Sequence, residues 1–417
     1  MNRRDFFDLT ARAAALAAVA ETILPRTHAS PLEAAKDEDF WMAIRNEFTT
    51  DRTVVNLNNG HVSPSPRTVQ EAMKRYLDYS NMGPYHTMIQ QLEPKVETAR
   101  RMIAEAAGCD AEEVAITRNS SESLEIAQFG IELKAGDELL TTNQDYPRML
   151  TTFATRARRE GIKVTEISFP VPVVSMDDLY HRYEQAITPA TKVILVCHIT
   201  NRTGQIFPVR RIADMAHARG IKVIVDGAHA FQQFPYKISD LNCDYYGVSL
   251  HKWTFAPVGT GFLYVRNSRI KETWPLLAAG ARQDTSIRKF ENIGTYPAAN
   301  FLAICEAITF NQNIGLDRKA ERLRYLRQRW TDQLAANPRV KILHSSTPEL
   351  ACGIGMFALN GGDLNKLNAT LVSKYGIYTS VMPHAEFTGM RITPSVYTTV
   401  QEIDYFAKSV DTELKTL

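Results

Sequence analysis

Two residues, each delivered by the end of an apolar run, define the chemistry open to this chain. Ile221-Lys222-Val223-Ile224-Val225-Asp226-Gly227-Ala228-His229 stops at a carboxylate and a turn of small residues. Further on, Val248-Ser249-Leu250-His251-Lys252-Trp253 ends in a hydroxyl, an imidazole and a lysine. A lysine set between Leu250, Trp253 and Phe255 is poorly placed as a solvated surface charge, and apolar surroundings lower an amine's pKa and make it nucleophilic. Taken alone, Asp226 reads as a turn or helix-capping residue. Paired with Lys252 it meets the demand of pyridoxal 5′-phosphate, in which a carboxylate keeps the pyridine nitrogen protonated and a lysine carries the aldehyde as a Schiff base.

The elements that position these residues follow from the apolar pattern. Helices are expected over 93–107, 121–133, 147–160, 176–187 and 209–219, alternating with strands over 113–117, 138–142, 163–169, 191–199, 221–225, 245–250 and 261–265. The strands are apolar without polar alternation, as in Val193-Ile194-Leu195-Val196-Cys197, which indicates a mostly parallel sheet covered on both faces. Past residue 295 the pattern changes to a long helical stretch from 298 to about 334, interrupted near Gly315, and then to a smaller α+β region. The expected organisation is an N-terminal arm over 31–92, a large α/β domain over 93–295 and a small C-terminal α+β domain over 296–417. In open α/β sheets, ligands sit beyond the carboxyl ends of the strands, where Asp226 and Lys252 fall.

Composition narrows the function classes. The 417 residues are 44% hydrophobic and 23% charged, an ordinary globular balance. Lys plus Arg number 48 against 46 Asp plus Glu, so the net charge of +2 gives no reason to expect nucleic acid or an anionic membrane as partner; a small molecule is expected. The five cysteines are widely spaced with no CxxC pair, and the ten histidines form no HExxH, so no metal site is expected.

Residues 1–30 read as an address. Arg3-Arg4-Asp5-Phe6-Phe7 precedes a modest alanine-rich run over 11–20, too short and too weakly apolar to span a membrane, with Ala18-Val19-Ala20 and Thr27-His28-Ala29 as possible cleavage sites. The pattern resembles a twin-arginine export signal, which predicts engagement of the export machinery and a periplasmic or exported location.

Asp226-Gly-Ala-His-Ala230 and Ser249-Leu-His-Lys-Trp253, in this order and spacing, resemble the class V aminotransferase-fold enzymes, a group that includes isopenicillin N epimerase-like proteins and cysteine desulfurases. The resemblance covers the chain from about residue 50 onward. It implies the type I pyridoxal phosphate-dependent transferase fold. In Thr117-Arg118-Asn119-Ser120-Ser121, Ser120 and Ser121 would hold the cofactor phosphate at a helix start, although each alone would read as a helix cap. Tyr146 would stack on the pyridine, Asn201 would lie near its phenolic oxygen, and His229 would lie beside the ring. Ser249 and His251 would join the phosphate shell next to Lys252. Gly294-Thr295 resembles a segment that reaches the phosphate from a second subunit, implying a homodimer with shared sites. Arg391, in Arg391-Ile-Thr-Pro-Ser-Val-Tyr397, would grip the substrate α-carboxylate, since a guanidinium fork suits that group. Asn59 and Gly60 would line the substrate side, with Tyr85 and His86 reaching toward it.

The fold and cofactor do not choose the reaction. A persulfide-forming desulfurase needs a nucleophilic cysteine shortly before the carboxylate-binding arginine, and residues 376–391 contain none. The expectation is therefore chemistry at the α-carbon of an amino acid, of epimerase or aminotransferase type, with Lys252 as the base. An exported location suggests an amino acid or an amino-acid unit of a peptide or siderophore-like molecule. Cysteine desulfurase or C–S lyase-like activity is the alternative. A non-catalytic binding protein on the same fold is disfavoured by the joint presence of Asp226, Lys252, His229 and Arg391.

Overall fold

The structure is a computed structural model that describes residues 29–415. The expected export signal, except for its last two residues, lies outside them.

A seven-stranded sheet runs through the large domain in the order Val114–Thr117, Gly261–Val265, Tyr245–Ser249, Lys222–Asp226, Thr191–Cys197, Glu138–Thr142, Lys163–Ile167. Only Gly261–Val265 runs against the others. Alternate residues of one strand enter different cores. Val193 and Leu195 pack with Leu124, Ala127, Met149 and Phe153, while Ile194 and Val196 pack with Ile103, Ile212, Ala216 and Ile304. Because both faces are buried, both registers of each strand must be apolar, which is why the runs do not alternate. Two strands fall where expected, Glu138–Thr142 and Gly261–Val265, as does the helix Pro147–Glu160; elsewhere the ends move by one to three residues.

The small domain is a four-stranded antiparallel sheet, ordered Ser380–Pro383, Thr388–Ile392, Gly355–Leu359, Val340–Ile342. It packs against the helices Leu316–Ala335, Leu364–Tyr375 and Val400–Leu414 around Leu326, Trp330, Phe357, Leu367, Met390 and Phe406. Gly315, at φ 84°, breaks the helical stretch as expected. Two boundaries differ from the sequence pattern. Ala298–Leu302 and Ile304–Ile314 begin the stretch assigned to the small domain, yet residues 298–308 bury in the core of the large one, beside Val69, Ala99 and Ile103. The N-terminal arm is also divided. Val55–Asn56 pairs with Ile377–Tyr378 of the small domain, whereas the helix Arg67–Asn81 adds Val69 and Ala72 to the large core. Neither partner is near in sequence, so local pattern carries no trace of either choice.

This architecture brings the carboxyl ends of six strands to one edge, among them those at Thr117, Thr142, Cys197, Asp226 and Ser249. The turn after Asp226 lies so close on the Tyr246 ring that a Cβ on Gly227 would stand 1.8 Å from Cε1. The ring cannot yield, because its hydroxyl is 2.8 Å from His198 Nδ1 and 2.6 Å from the Tyr236 hydroxyl. Glycine is the residue that fits there.

Candidate active site

Asp226 is buried at its strand end, where Oδ1 accepts from the Ala228 amide at 3.0 Å. Burial raises its pKa and the charge of Lys252 opposes the shift, so the two groups act on each other electrostatically. Lys252, half-buried, points Nζ at His229 Nε2, 3.1 Å away. Trp253 Nε1 donates to the other imidazole nitrogen, Nδ1, at 3.4 Å. A neutral imidazole has one proton; with Nδ1 accepting it is assigned to Nε2, which can donate to Lys252 only where the amine is unprotonated. Both groups are shifted toward their neutral forms. Burial pushes His229 well down, and burial lowers the Lys252 ammonium to about 8.

The loop carrying Lys252 is fixed from below. Lys319, fully buried on the helix Leu316–Ala335, donates to the Trp253 carbonyl and to Asn311 Oδ1 (2.6 Å), and its ammonium lies 4.1 Å from the Phe255 ring centre. Asn311 Nδ2 holds the Thr254 carbonyl at 2.8 Å. Phe255 itself sits at φ 64°, a conformation that costs a side-chain-bearing residue about 1–3 kcal/mol and persists where surrounding contacts determine it.

Ser120 and Ser249, expected to hold a phosphate, lie against each other. Ser249 Oγ accepts from the Ser120 amide at 2.9 Å and donates to its hydroxyl at 2.8 Å, across two strand ends. The cap of the helix Ser120–Gly130 is neither serine. Asn119 takes that role, its side chain accepting from the Glu122 amide, which leaves Ser120 to reach across and Ser121 half-buried behind it. His251 has a buried, unpartnered Nδ1, and burial lowers its pKa to about 4, so the ring is neutral at neutral pH.

On the substrate side, Arg391 is buried and donates to the Asn201 carbonyl at 2.8 Å and to Asn58 Oδ1 at 2.9 Å. Tyr146, 39% exposed at the start of the helix Pro147–Glu160, acts electrostatically on the same guanidinium. The assignment of Asn59 and Gly60 to the substrate is corrected by one position. Asn59 is fully buried, spending its amide on the Thr393 and Asn56 carbonyls (both 3.0 Å) and accepting from the Tyr397 hydroxyl at 2.5 Å. The Gly60 amide donates to Thr393 Oγ1 at 2.9 Å. Both tie this segment to the small domain, and Asn58 is the residue that meets Arg391. Tyr85 and His86 are not brought to the cluster by any hydrogen bond. They lie on a π-helical turn over Tyr85–Leu92, with Tyr85 70% exposed and His86 bonded to Gln90 of the same turn. Thr295 is exposed beside Gly294 and makes no hydrogen bond to the cluster either.

Asn201 Oδ1, Arg202 Nε, His251 Nδ1 and Arg391 Nε are buried without hydrogen-bond partners. Unpartnered atoms occur elsewhere too, as at Arg327 and Trp330; it is the gathering of these four around the loops that carry Asn201, Lys252 and Arg391 that fits a site for something that binds. The donor set fits pyridoxal phosphate: a buried carboxylate, an amine of lowered pKa, an imidazole against that amine, and hydroxyls at a helix start. Sequence reasoning missed Asn58, because an adjacent asparagine offers no local distinction. It missed Lys319 because Leu316-Asp-Arg-Lys-Ala-Glu-Arg reads as a solvated helix face. No group of three or more possible metal ligands occurs among the described residues.

The lowered Lys252 pKa has a kinetic consequence. Only the neutral amine attacks an aldehyde, so capture of pyridoxal phosphate by the cofactor-free protein is expected to accelerate about tenfold per pH unit up to about 8 and then level off. An unperturbed lysine would keep accelerating to about 10.4. Stopped-flow absorbance across this range separates the two, and a rate still rising steeply above pH 9 contradicts the geometry described.

The model of the aminotransferase class-V family matches residues 55–406. An isopenicillin N epimerase from Streptomyces clavuligerus is 28% identical over 388 residues, covering 89% of this chain and 98% of the relative. A cysteine desulfurase from Haloferax volcanii is 30% identical over 290 residues, 65% of this chain and 67% of that one. Among solved structures, the apo cysteine desulfurase of Thermococcus onnurineus superposes with a TM-score of 0.79 at 24% identity, over 91% of this chain and 98% of that one.

Proposed function

The chain belongs to the aminotransferase class-V family of pyridoxal phosphate-dependent enzymes, and from that premise we propose that it acts at the α-carbon of an amino acid or amino-acid-derived substrate, as an epimerase or an aminotransferase. The observation that carries the reading is the convergence of Asp226, His229, Lys252 and Arg391 from separate elements, with Lys252 Nζ 3.1 Å from His229. When bound, pyridoxal phosphate supplies an electron sink for negative charge at the substrate α-carbon. Asp226 would be the carboxylate that keeps its ring nitrogen protonated. Arg391 holds the α-carboxylate and so fixes which bonds of the α-carbon face Lys252. Lys252, whose ammonium is lowered to about 8 and so gives up its proton more readily than an ordinary lysine, would take the α-proton in its neutral form. Return of a proton to the opposite face inverts the carbon; loss of the amine instead is group transfer.

Cysteine desulfurase or C–S lyase-like activity is the second reading, supported by relatives of that kind. Against a persulfide route stand the cysteine-free segment 376–391 and the state of the thiols. Burial pushes Cys109 and Cys305 up to about 12, and raises Cys197, Cys243 and Cys352 as well. We extend the reading to export by the twin-arginine route and a periplasmic substrate, supported by Arg3-Arg4 and the run over 11–20, and to a homodimer, supported by the exposed Gly294-Thr295 segment. A non-catalytic role on this fold would leave the lowered pKa of Lys252 without a use.

The test is incubation of the pyridoxal phosphate-loaded protein in D2O with a panel of amino acids and small peptides, read by mass spectrometry. Deuterium at the α-carbon with the amine retained supports epimerisation, and amine loss supports transfer. Sulfide or persulfide release from cysteine or cystine without α-deuteration supports the second reading. No reaction with any member contradicts all three.

A further inference from the structure

We propose that Arg202 is a second anion-binding residue, and that the substrate carries a carboxylate or comparable anionic group on its side chain in addition to its α-carboxylate. The proposal rests on the α-carbon reading above and narrows its substrate class.

Arg202 follows Asn201 in the buried loop beyond the strand Thr191–Cys197. Its side chain is 8% exposed and its Nε is buried without a partner. Among the described residues its guanidinium makes no hydrogen bond or ion pair. Other buried arginines have a carboxylate partner, Arg100 in Glu97 and Glu291, Arg156 in Glu160 and Arg322 in Glu38, even where a single nitrogen such as Arg322 Nε is left over. Arg327, which has no carboxylate, reaches the Ser346 carbonyl. Arg202 has neither.

Its position gives the isolation a meaning. After burial, the largest influence on Arg391 is the like charge of Arg202, and together they lower Arg391 to about 10. Arg391 in turn disfavours the charged form of Lys252. The geometry points the same way: Arg391 donates to the carbonyl of Asn201, the residue before Arg202, at 2.8 Å, and neither guanidinium is paired with a carboxylate among the described residues. A buried cation without a counter-ion is costly, and a site that keeps two is arranged for anions that arrive. The α-carboxylate supplies one. The Ser120–Ser249 pair lies on a different strand end, two places from Thr191–Cys197 in the sheet, and makes no hydrogen bond to Arg202 among the described residues. A side-chain anion on the substrate meets the remaining charge. A planar carboxylate suits the guanidinium fork.

The experiment is calorimetric titration of the pyridoxal phosphate-loaded protein with succinate, glutarate and adipate and with the monoamide of each, which keeps the length and removes one charge. At least one diacid is expected to bind tenfold or more tightly than its monoamide. Arg202→Gln is expected to bring that ratio close to one, and Arg202→Lys to restore part of it; circular dichroism and melting temperature check that each variant is folded. Equal affinities in the wild type, no diacid binding, or a ratio unchanged in folded Arg202→Gln would overturn the proposal. If Arg202→Gln does not fold, the wild-type ratio and Arg202→Lys decide on the same terms. A parallel α-proton exchange assay in D2O keeps the two readings apart. Equal kcat/KM for glutamate and glutamine overturns the role of Arg202 and leaves α-carbon chemistry standing, whereas exchange with no amino acid removes that chemistry and leaves the titration to judge Arg202.

Discussion

Replacing Lys252 by alanine is expected to abolish turnover, with a fall of at least about 10³-fold, since a positioned acid–base group alone contributes 10²–10⁴-fold and the residue is proposed to carry the cofactor as well. The absorption band of the lysine-bound cofactor should vanish. Cofactor binding should weaken without disappearing, because the Ser120–Ser249 pair and Asp226 do not depend on the amine. Stability should hold or rise. A lysine whose ammonium is pushed down to about 8 is less favourably charged in the folded protein than in the unfolded chain at pH 7, so removing it takes away a penalty rather than a support. A variant that keeps the wild-type spectrum and activity would refute the assignment. One that melts far below the wild type would show Lys252 to be structural.

Arg391→Leu is expected to lower kcat/KM for any α-carboxylate substrate by roughly 10- to 150-fold, the equivalent of the 1.5–3 kcal/mol that a hydrogen bond to a charged group contributes. The loss should appear mainly in KM if the carboxylate contact is equally strong before and during reaction, and in kcat as well if the contact also aims the α-proton at Lys252. Arg391 joins a small-domain strand to the large-domain loop through the Asn201 carbonyl, so Arg391→Lys is the control that retains a charge and loses the fork. Steady-state kinetics on both variants, with melting temperatures, decide the matter. Unaltered kinetics in Arg391→Leu would mean the carboxylate is held elsewhere.

The parts of the site legible in the sequence are those set by local pattern. An apolar strand must be buried, a strand end in an open sheet faces a crevice, and Asp226 and Lys252 stand at such ends. Ser249 reads in the same way, being the last residue of a buried strand. What the sequence hid was decided across distance. Whether Asn58 or Asn59 turns to Arg391 depends on how residues 55–59 seat against Thr393, more than 300 positions away. Asn119 rather than Ser120 caps its helix because Ser249 offers Ser120 a second partner. Lys319 and Arg202 look like ordinary basic residues until their surroundings are known. One turns out to hold up the Lys252 loop, and the other has nothing beside it to neutralise its charge. The packing of residues 298–308 into the large core was hidden for the same reason, since a helix's apolar face does not say which sheet it will cover.

Lys252, and no other lysine, is expected to carry the cofactor. Borohydride reduction of the pyridoxal phosphate-loaded protein, followed by proteolysis and peptide mass spectrometry, tests it without any knowledge of the substrate. The account predicts a pyridoxyl label on the peptide containing Lys252. A label on Lys319, the other buried lysine of this region, or on surface lysines alone, or no label at all, would contradict it.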